Sequence, residues 1–386
     1  MMIFSVFQYL KALADPVGRF RTLGVPRVVP EGSFRTGNDA AVFRIVSEGR
    51  TMMLKCYLRP PQAIAERCAC SQRTPLTAYC QWLDHELMLD DDAGGTVEVG
   101  VTVGEWIEGR TLADEVLDAV VERDAERLAR LSAEFDRLAL ALLEEEWAHG
   151  DLKPENIICS PSGMRLIDID SIYTPELARL TTSQLGTEGY RHPSRTERDF
   201  DRHLDDYPIA LISATLAALA LDYDLYRCFD RGDGVLIDPS EAVAGTSAAV
   251  AEMKRLFARA GDAAHYVIIN ALRTPVLHIE ELRDALNQTI NGVPESDHLE
   301  LTARGGRWGY TDAEGHWTIL PVYKSAFEFR EGYAAVQLGD VWQYIDRHAC
   351  PKMICAEASA IKPVRDGRAR LCIDGEWVEC AIEPAE

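Results

Sequence analysis

Asp151, Lys153 and Asn156 lie in the run His149-Gly150-Asp151-Leu152-Lys153-Pro154-Glu155-Asn156 and set a carboxylate, an ammonium and an amide at Asp-x-Lys-x-x-Asn spacing. That set suits transfer of a phosphoryl group to a hydroxyl. The carboxylate orients the hydroxyl proton, the ammonium neutralises the moving phosphate, and the amide oxygen ligates magnesium. A further carboxylate must hold the metal that bridges the nucleotide phosphates. Asp168 supplies it in Arg165-Leu166-Ile167-Asp168-Ile169-Asp170, just after the turn Ser160-Pro161-Ser162-Gly163. A lone Asp-x-Lys is usually a solvated pair, so the weight rests on the order of five landmarks: Lys55, Asp151, Asn156, Asp168 and Asp206.

The catalytic-loop run and the acidic triplet after it resemble those of the eukaryotic-type protein kinase family, in a bacterial, Ser/Thr-specific form. The resemblance implies an α+β, bilobal protein-kinase-like fold with a β-rich N-lobe to about residue 107 and an α-rich C-lobe from about 111. It makes Asp151 and Lys153 catalytic, gives Asn156 and Asp168 to Mg2+, and aims Lys55, in Thr51-Met52-Met53-Leu54-Lys55 after the hairpin turn Ser47-Glu48-Gly49-Arg50, at the phosphates of ATP. Gly37, in Gly37-Asn38-Asp39-Ala40-Ala41-Val42, stands at the phosphate lid. Glu66, on a helix opened by Pro61, is the expected partner of Lys55, with Glu86 as second choice. Glu105 and Ile107, in Glu105-Trp106-Ile107-Glu108-Gly109, stand at the hinge whose backbone binds adenine, and Gly104 implies a deep pocket behind it. Gly186 to Pro193 resembles the end of an activation segment, and Asp206 is placed to hold the catalytic-loop backbone.

Two positions depart from the family pattern. Gly150 stands where many members carry the arginine that binds a phosphorylated loop, so activation through Thr181, Thr182 or Ser183 is not expected. Asp170 stands in place of a glycine, where aspartate tolerates left-handed backbone but adds negative charge beside the metal ligand.

The elements that must position these groups can be read from periodicity. Met1 to Ala14 reads as an amphipathic helix inside an N-terminal extension, 1–24, ahead of a kinase-like domain at 25–291. Leu112, Val116, Leu117, Val120 and Val121 mark one helix, and Leu128, Leu131, Phe135, Leu138 and Leu142 the next. Pro208 to Leu221 is a core helix too short to cross a bilayer. Helices at Ser247 to Ala260 and Ile279 to Ile290 follow.

After the linker 292–298 the character changes to short alternating strands over 299–386. Trp308-Gly309-Tyr310-Thr311-Asp312 recurs as Trp342-Gln343-Tyr344-Ile345-Asp346 and again at Trp377, while Glu331-Gly332-Tyr333 recurs as Asp366-Gly367-Arg368. This region resembles the WG-repeat family of small β units. Two full copies are few for a free-standing array, so the module is expected to pack on the kinase-like domain or on a protein partner, its Trp and Tyr supplying apolar area.

Composition bounds the rest. The chain has 386 residues, 47% of them hydrophobic, enough for two or three packed lobes. A net charge of −22 opposes binding to nucleic acid or to an anionic membrane. Ten scattered cysteines without Cys-x-x-Cys units read as reduced core thiols of a cytoplasmic protein. The expected activity is phosphoryl transfer from Mg-ATP to Ser/Thr hydroxyls of protein substrates. The alternatives are a nucleotide-binding pseudokinase scaffold, a small-molecule kinase suggested by His149-Gly150-Asp151, and a pure binding protein built on the repeats.

Overall fold

The computed structural model describes residues 4–29, 34–37, 39–91, 94–180, 184–232 and 234–382. Thr181, Thr182 and Ser183 lie outside the described residues, as does Asn38. The chain divides into two compact units, one of Met1–Leu112 with Glu155–Leu180, the other of Ala113–Pro154 with Thr181–Glu386. It is a mixed α and β structure with several small antiparallel sheets and a β-rich C-terminal region.

The first unit is built on an antiparallel sheet in the order Arg27–Val28, Ala40–Ser47, Arg50–Tyr57, Thr96–Glu105, Cys80–Asp90, with Phe34–Thr36 also paired to Ala40–Ser47. Ala40–Ser47 and Arg50–Tyr57 are joined through Glu48 and Gly49, whose φ values of 49° and 77° are the left-handed pair that a two-residue hairpin turn demands. Strand alternation then decides which side chains meet. Leu54 and Cys56 enter a core with Phe43, Ile45, Leu87 and Val101, capped by Tyr9 and Leu13 from helix Val6–Ala14. Lys55 and Tyr57 leave by the opposite face. Helix Ile64–Ser71 and a small sheet of Arg110–Thr111, Ile157–Ser160 and Gly163–Leu166 complete the unit.

In the second unit the helix Asp206–Leu221 is buried nearly all round, as the lack of a polar stripe in its sequence requires. Helices Ala125–Glu144, Ala248–Ala260 and Ala263–Ala271 pack around it. Their polar link is a buried chain: the Ser213 hydroxyl donates to Asp136 (2.6 Å), and His265 lies between Asp136 (3.2 Å) and Asp262 (2.6 Å).

Three successive antiparallel sheets follow: Glu300–Arg304 with Arg307–Thr311 and Trp317–Tyr323; Ser325–Ala326 with Ala334–Leu338, Val341–Ile345 and Pro351–Cys355; and Ala360–Arg365 with Arg368–Ile373 and Glu376–Ala381. Each sheet is stitched to the next by the repeated tyrosine. Tyr310 donates its hydroxyl to the Phe327 carbonyl (2.6 Å), and Tyr344 does the same to Lys362 (2.7 Å). At the third repeat the corresponding position is Glu379, which pairs instead with Arg370 (3.1 Å) and Arg368 (3.5 Å). A charged side chain thus stands in the third sheet where the first two carry the stitching tyrosine. Gly309 allows close approach of Trp317–Tyr323, since a Cβ there would lie 2.8 Å from the Pro321 nitrogen. The repeats do not stand free of the helices: Gln288 donates to the Thr318 carbonyl (3.1 Å) and Arg304 pairs with Glu281 (2.8 Å). Among the described residues no helix is long and apolar enough to cross a membrane.

Burial works against charge on His265, but the two carboxylates outweigh it and push its pKa up to about 10. The sign follows from linkage: the stabilisation is fully present below the ordinary histidine value of 6.5 and is lost as pH rises toward about 10. Melting curves across that range should therefore show wild type losing stability that a His265→Gln variant never had. A pH-independent gap between the two would contradict the pairing.

Candidate active site

The landmark residues fall into two groups, one in each unit. In the first, Lys55 is only 7% exposed and its ammonium binds Asp168 Oδ1 at 2.6 Å and Asp170 Oδ2 at 2.8 Å. Burial opposes the charge on Lys55, but the two carboxylates outweigh it and the pKa moves up. Burial likewise pushes the Asp170 carboxyl upward, against the pull of Lys55. Tyr57 donates to the other Asp170 oxygen (3.1 Å).

This arrangement corrects the expected partner of Lys55. Glu66 is exposed on helix Ile64–Ser71, which turns Arg67 and Cys68 inward instead. Arg67 bonds the Gln62 and Ile172 carbonyls at 3.0 and 2.8 Å. Glu86, the second choice, is buried but accepts from the amides of Thr22 (2.8 Å) and Leu23 (2.9 Å) and from the Thr22 hydroxyl (2.7 Å). Asp170 takes the place assigned to Glu66. It is also not the left-handed residue. That conformation belongs to Asp168, at φ 64° and ψ 69°, which for a residue with a Cβ stores strain of the kind found at functional sites.

Asn156 and Asp168 are brought together by backbone pairing, since the Ile167 amide donates to the Asn156 carbonyl (2.9 Å). Asn156 is buried, while the Asp168 side chain is 43% exposed. An amide oxygen and a carboxylate are the hard donors that Mg2+ takes, so these residues fit the ion.

Glu105 ends its strand, its amide bonded to the Tyr79 carbonyl (2.9 Å) and its carboxylate held by Arg165 (2.6 Å). Arg165 draws the Glu105 carboxyl below the ordinary value. Ile107 follows the strand end, and among the described residues its backbone amide and carbonyl make no hydrogen bond. Gly104 needs correction. A Cβ there would lie 2.5 Å from the Tyr79 carbonyl and 3.0 Å from Cys80 Cβ, so the missing side chain admits the neighbouring strand and opens no deeper pocket. Gly37 follows strand Phe34–Thr36, exposed, its amide bonded to Ala40 (2.9 Å).

In the second unit Asp151 Oδ1 accepts both the amide (2.6 Å) and the hydroxyl (2.9 Å) of Thr187. Lys153 Nζ donates to the same hydroxyl (3.0 Å) and lies 3.7 Å from Asp151 Oδ2. Carboxylate and ammonium therefore converge on one hydroxyl. The loop is anchored by Asp205, which accepts from the amides of His149 and Gly150, the latter at 2.9 Å. The family resemblance puts this anchor at Asp206, one residue on. Asp206 opens the helix and binds His203, His278 and the Ile279 amide instead. Burial pushes the Asp205 carboxyl up, against His149 and the two amides.

Gly150 has φ 78°, a conformation that disfavours an arginine side chain. A guanidinium reaches the loop from elsewhere: Arg195, 6% exposed, donates to the Gly150 carbonyl (2.7 Å), while its Nε and Nη2 are buried without partners. Arg195 carried no signal in the sequence beyond being one basic residue among several after Pro193. Thr187 lay inside the activation-segment run, but its role is visible only in three dimensions.

Residues 308–342 match the family model described as the WG containing repeat, and the C-terminal region therefore contains a WG repeat. The match lies wholly within the stacked β sheets and includes none of the residues discussed in either group. No curated protein matches the chain.

Removing one member of a buried ion pair strands its partner's charge. In denaturant titrations Asp170→Ala should cost about 3 kcal/mol, whereas Glu66→Ala should stay within about 0.5 kcal/mol of wild type. Equal costs would restore Glu66 as the partner of Lys55.

Proposed function

We propose that the chain is a bilobal, protein-kinase-like phosphotransferase that moves the γ-phosphoryl group of Mg-ATP to Ser or Thr hydroxyls of protein substrates. The observation that carries this reading is the Thr187 hydroxyl held between Asp151 and Lys153 at 2.9 and 3.0 Å. An acceptor hydroxyl needs the same two partners: a carboxylate to orient and receive its proton, and a cation near the charge that builds on the transferring group.

In this mechanism Asp151 exchanges Thr187 for the acceptor hydroxyl, and Lys153 moves to the phosphoryl oxygens. Asp205 and Arg195 hold the loop backbone that carries Asp151. On the nucleotide side Lys55 releases carboxylate contacts to bind phosphate oxygens, and the open backbone of Ile107 takes the adenine edge. Asn156 and Asp168 would hold Mg2+, which when bound neutralises charge on the triphosphate. The WG repeats offer a surface for a protein partner.

A second reading, a nucleotide-binding scaffold without turnover, is favoured by the double carboxylate on Lys55. Phosphates must compete with Asp168 and Asp170 for that one ammonium.

The test is incubation of the purified full chain with γ-labelled ATP, Mg2+ and a Ser/Thr peptide array. Wild type should label peptides, and Asp151→Asn should lower the rate by about 100-fold or more. Nucleotide binding without labelling supports the scaffold. Labelling that Asp151→Asn and Asp168→Ala leave unchanged contradicts the assigned roles.

A further inference from the structure

His203, Asp206 and His278 lie outside the chemistry assigned above, and their donor atoms all fall within 4.8 Å of one another. His203 comes from the turn before helix Asp206–Leu221, Asp206 is the first residue of that helix, and His278 precedes helix Leu282–Asn291. His203 Nδ1 is 3.2 Å and His278 Nδ1 2.9 Å from the same oxygen, Asp206 Oδ2. The two imidazoles lie with ring centres 4.0 Å apart.

That oxygen also accepts the Ile279 amide at 3.0 Å. An imidazole nitrogen that turned its lone pair toward a carboxylate oxygen would be repelled. Each ring must therefore bring a proton, or the three groups must share a cation. Protons alone leave three donors crowded on one oxygen, whereas a single metal ion satisfies both rings and the carboxylate together.

We propose that His203, Asp206 and His278 form a zinc site. Zinc takes imidazole nitrogen and carboxylate oxygen at about 2.0–2.2 Å, which puts tetrahedral ligand atoms about 3.3 Å apart. The two nitrogen–oxygen spacings of 2.9 and 3.2 Å need only a small adjustment to reach that geometry, and the third pair of ligand atoms lies within 4.8 Å. The carboxylate is preset: its side chain is 3% exposed and the Ile279 amide fixes its direction, as outer partners do for metal ligands. His278, with 50% of its side chain exposed, leaves an edge open to solvent for a fourth ligand. Two imidazoles select against Mg2+ and Ca2+, which prefer oxygen donors. The ion would tie the turn before helix Asp206–Leu221 to the loop before Leu282–Asn291, next to Asp205, which anchors the His149 and Gly150 amides.

The proposal does not depend on phosphoryl transfer, and its test reads none. The purified full chain is stripped with a chelator and titrated with zinc chloride by calorimetry, with melting curves recorded with and without zinc. Wild type should bind one more zinc per chain than the His203→Gln/His278→Gln variant, and zinc should raise the melting temperature of wild type only. His278→Gln alone, at a half-exposed position where folding is preserved, should weaken that site by about tenfold or more. Magnesium should shift the melting temperatures of wild type and variant alike. Equal zinc binding by wild type and the single variant, or no zinc binding by wild type, overturns the proposal.

Discussion

A buried ammonium is costly unless charge and hydrogen bonds compensate it, and Lys55 meets that demand with two carboxylates from one short segment. The constraint reaches both ways along the chain. Strand alternation puts Leu54 and Cys56 into the sheet core and so forces Lys55 to the other face. There the Asp-Ile-Asp run must deliver both acids, and Asp168 does so from a left-handed conformation. The Ile167 amide, bonded to the Asn156 carbonyl, links that run to the segment carrying the second expected metal ligand. A charge cluster of this kind holds Lys55, Asp168 and Asp170 in one place and fixes the direction of the ammonium.

The second unit answers a different requirement, the fixing of a loop that carries a carboxylate. Asp205 takes two successive amides of the loop, Arg195 takes the Gly150 carbonyl, and Thr187 occupies Asp151. Three separate segments thus hold a few residues in place. The helix behind them is buried nearly all round, and polar links to neighbouring helices run through Ser213, Asp136 and His265 and from the Tyr207 hydroxyl to the Pro239 carbonyl. The WG repeats are part of the same unit, so their stability is coupled to the helices on which they pack.

What could be read from the sequence was whatever depends on local order. The hairpin at Glu48-Gly49, the helix at Ala125–Glu144 and the repeated Trp and Tyr all follow from short-range pattern, and the structure carries each. The pairing of Lys55 with Asp168 joins distant segments, yet both residues belonged to recognisable motifs. Glu66 failed because the rotation of a short helix, set by burial of Arg67 and Cys68, is not visible in spacing. Asp205 and Asp206 are adjacent acids, and only the direction of the helix they open tells which one meets the loop. Gly104 is ambiguous in sequence for a similar reason: a missing side chain marks a cavity or a close approach, and the neighbouring strand decides between them.

The most direct measurement of the central claim is site-specific labelling of Lys55. An ATP-derived acyl-phosphate acylates a lysine only when that lysine lies against the bound phosphates, and mass spectrometry then identifies the modified residue. Acylation of Lys55 that an excess of Mg-ATP suppresses is the expected result. Absence of label at Lys55 while other lysines react, or labelling that ATP leaves unchanged, would show that this ammonium serves its two carboxylates alone.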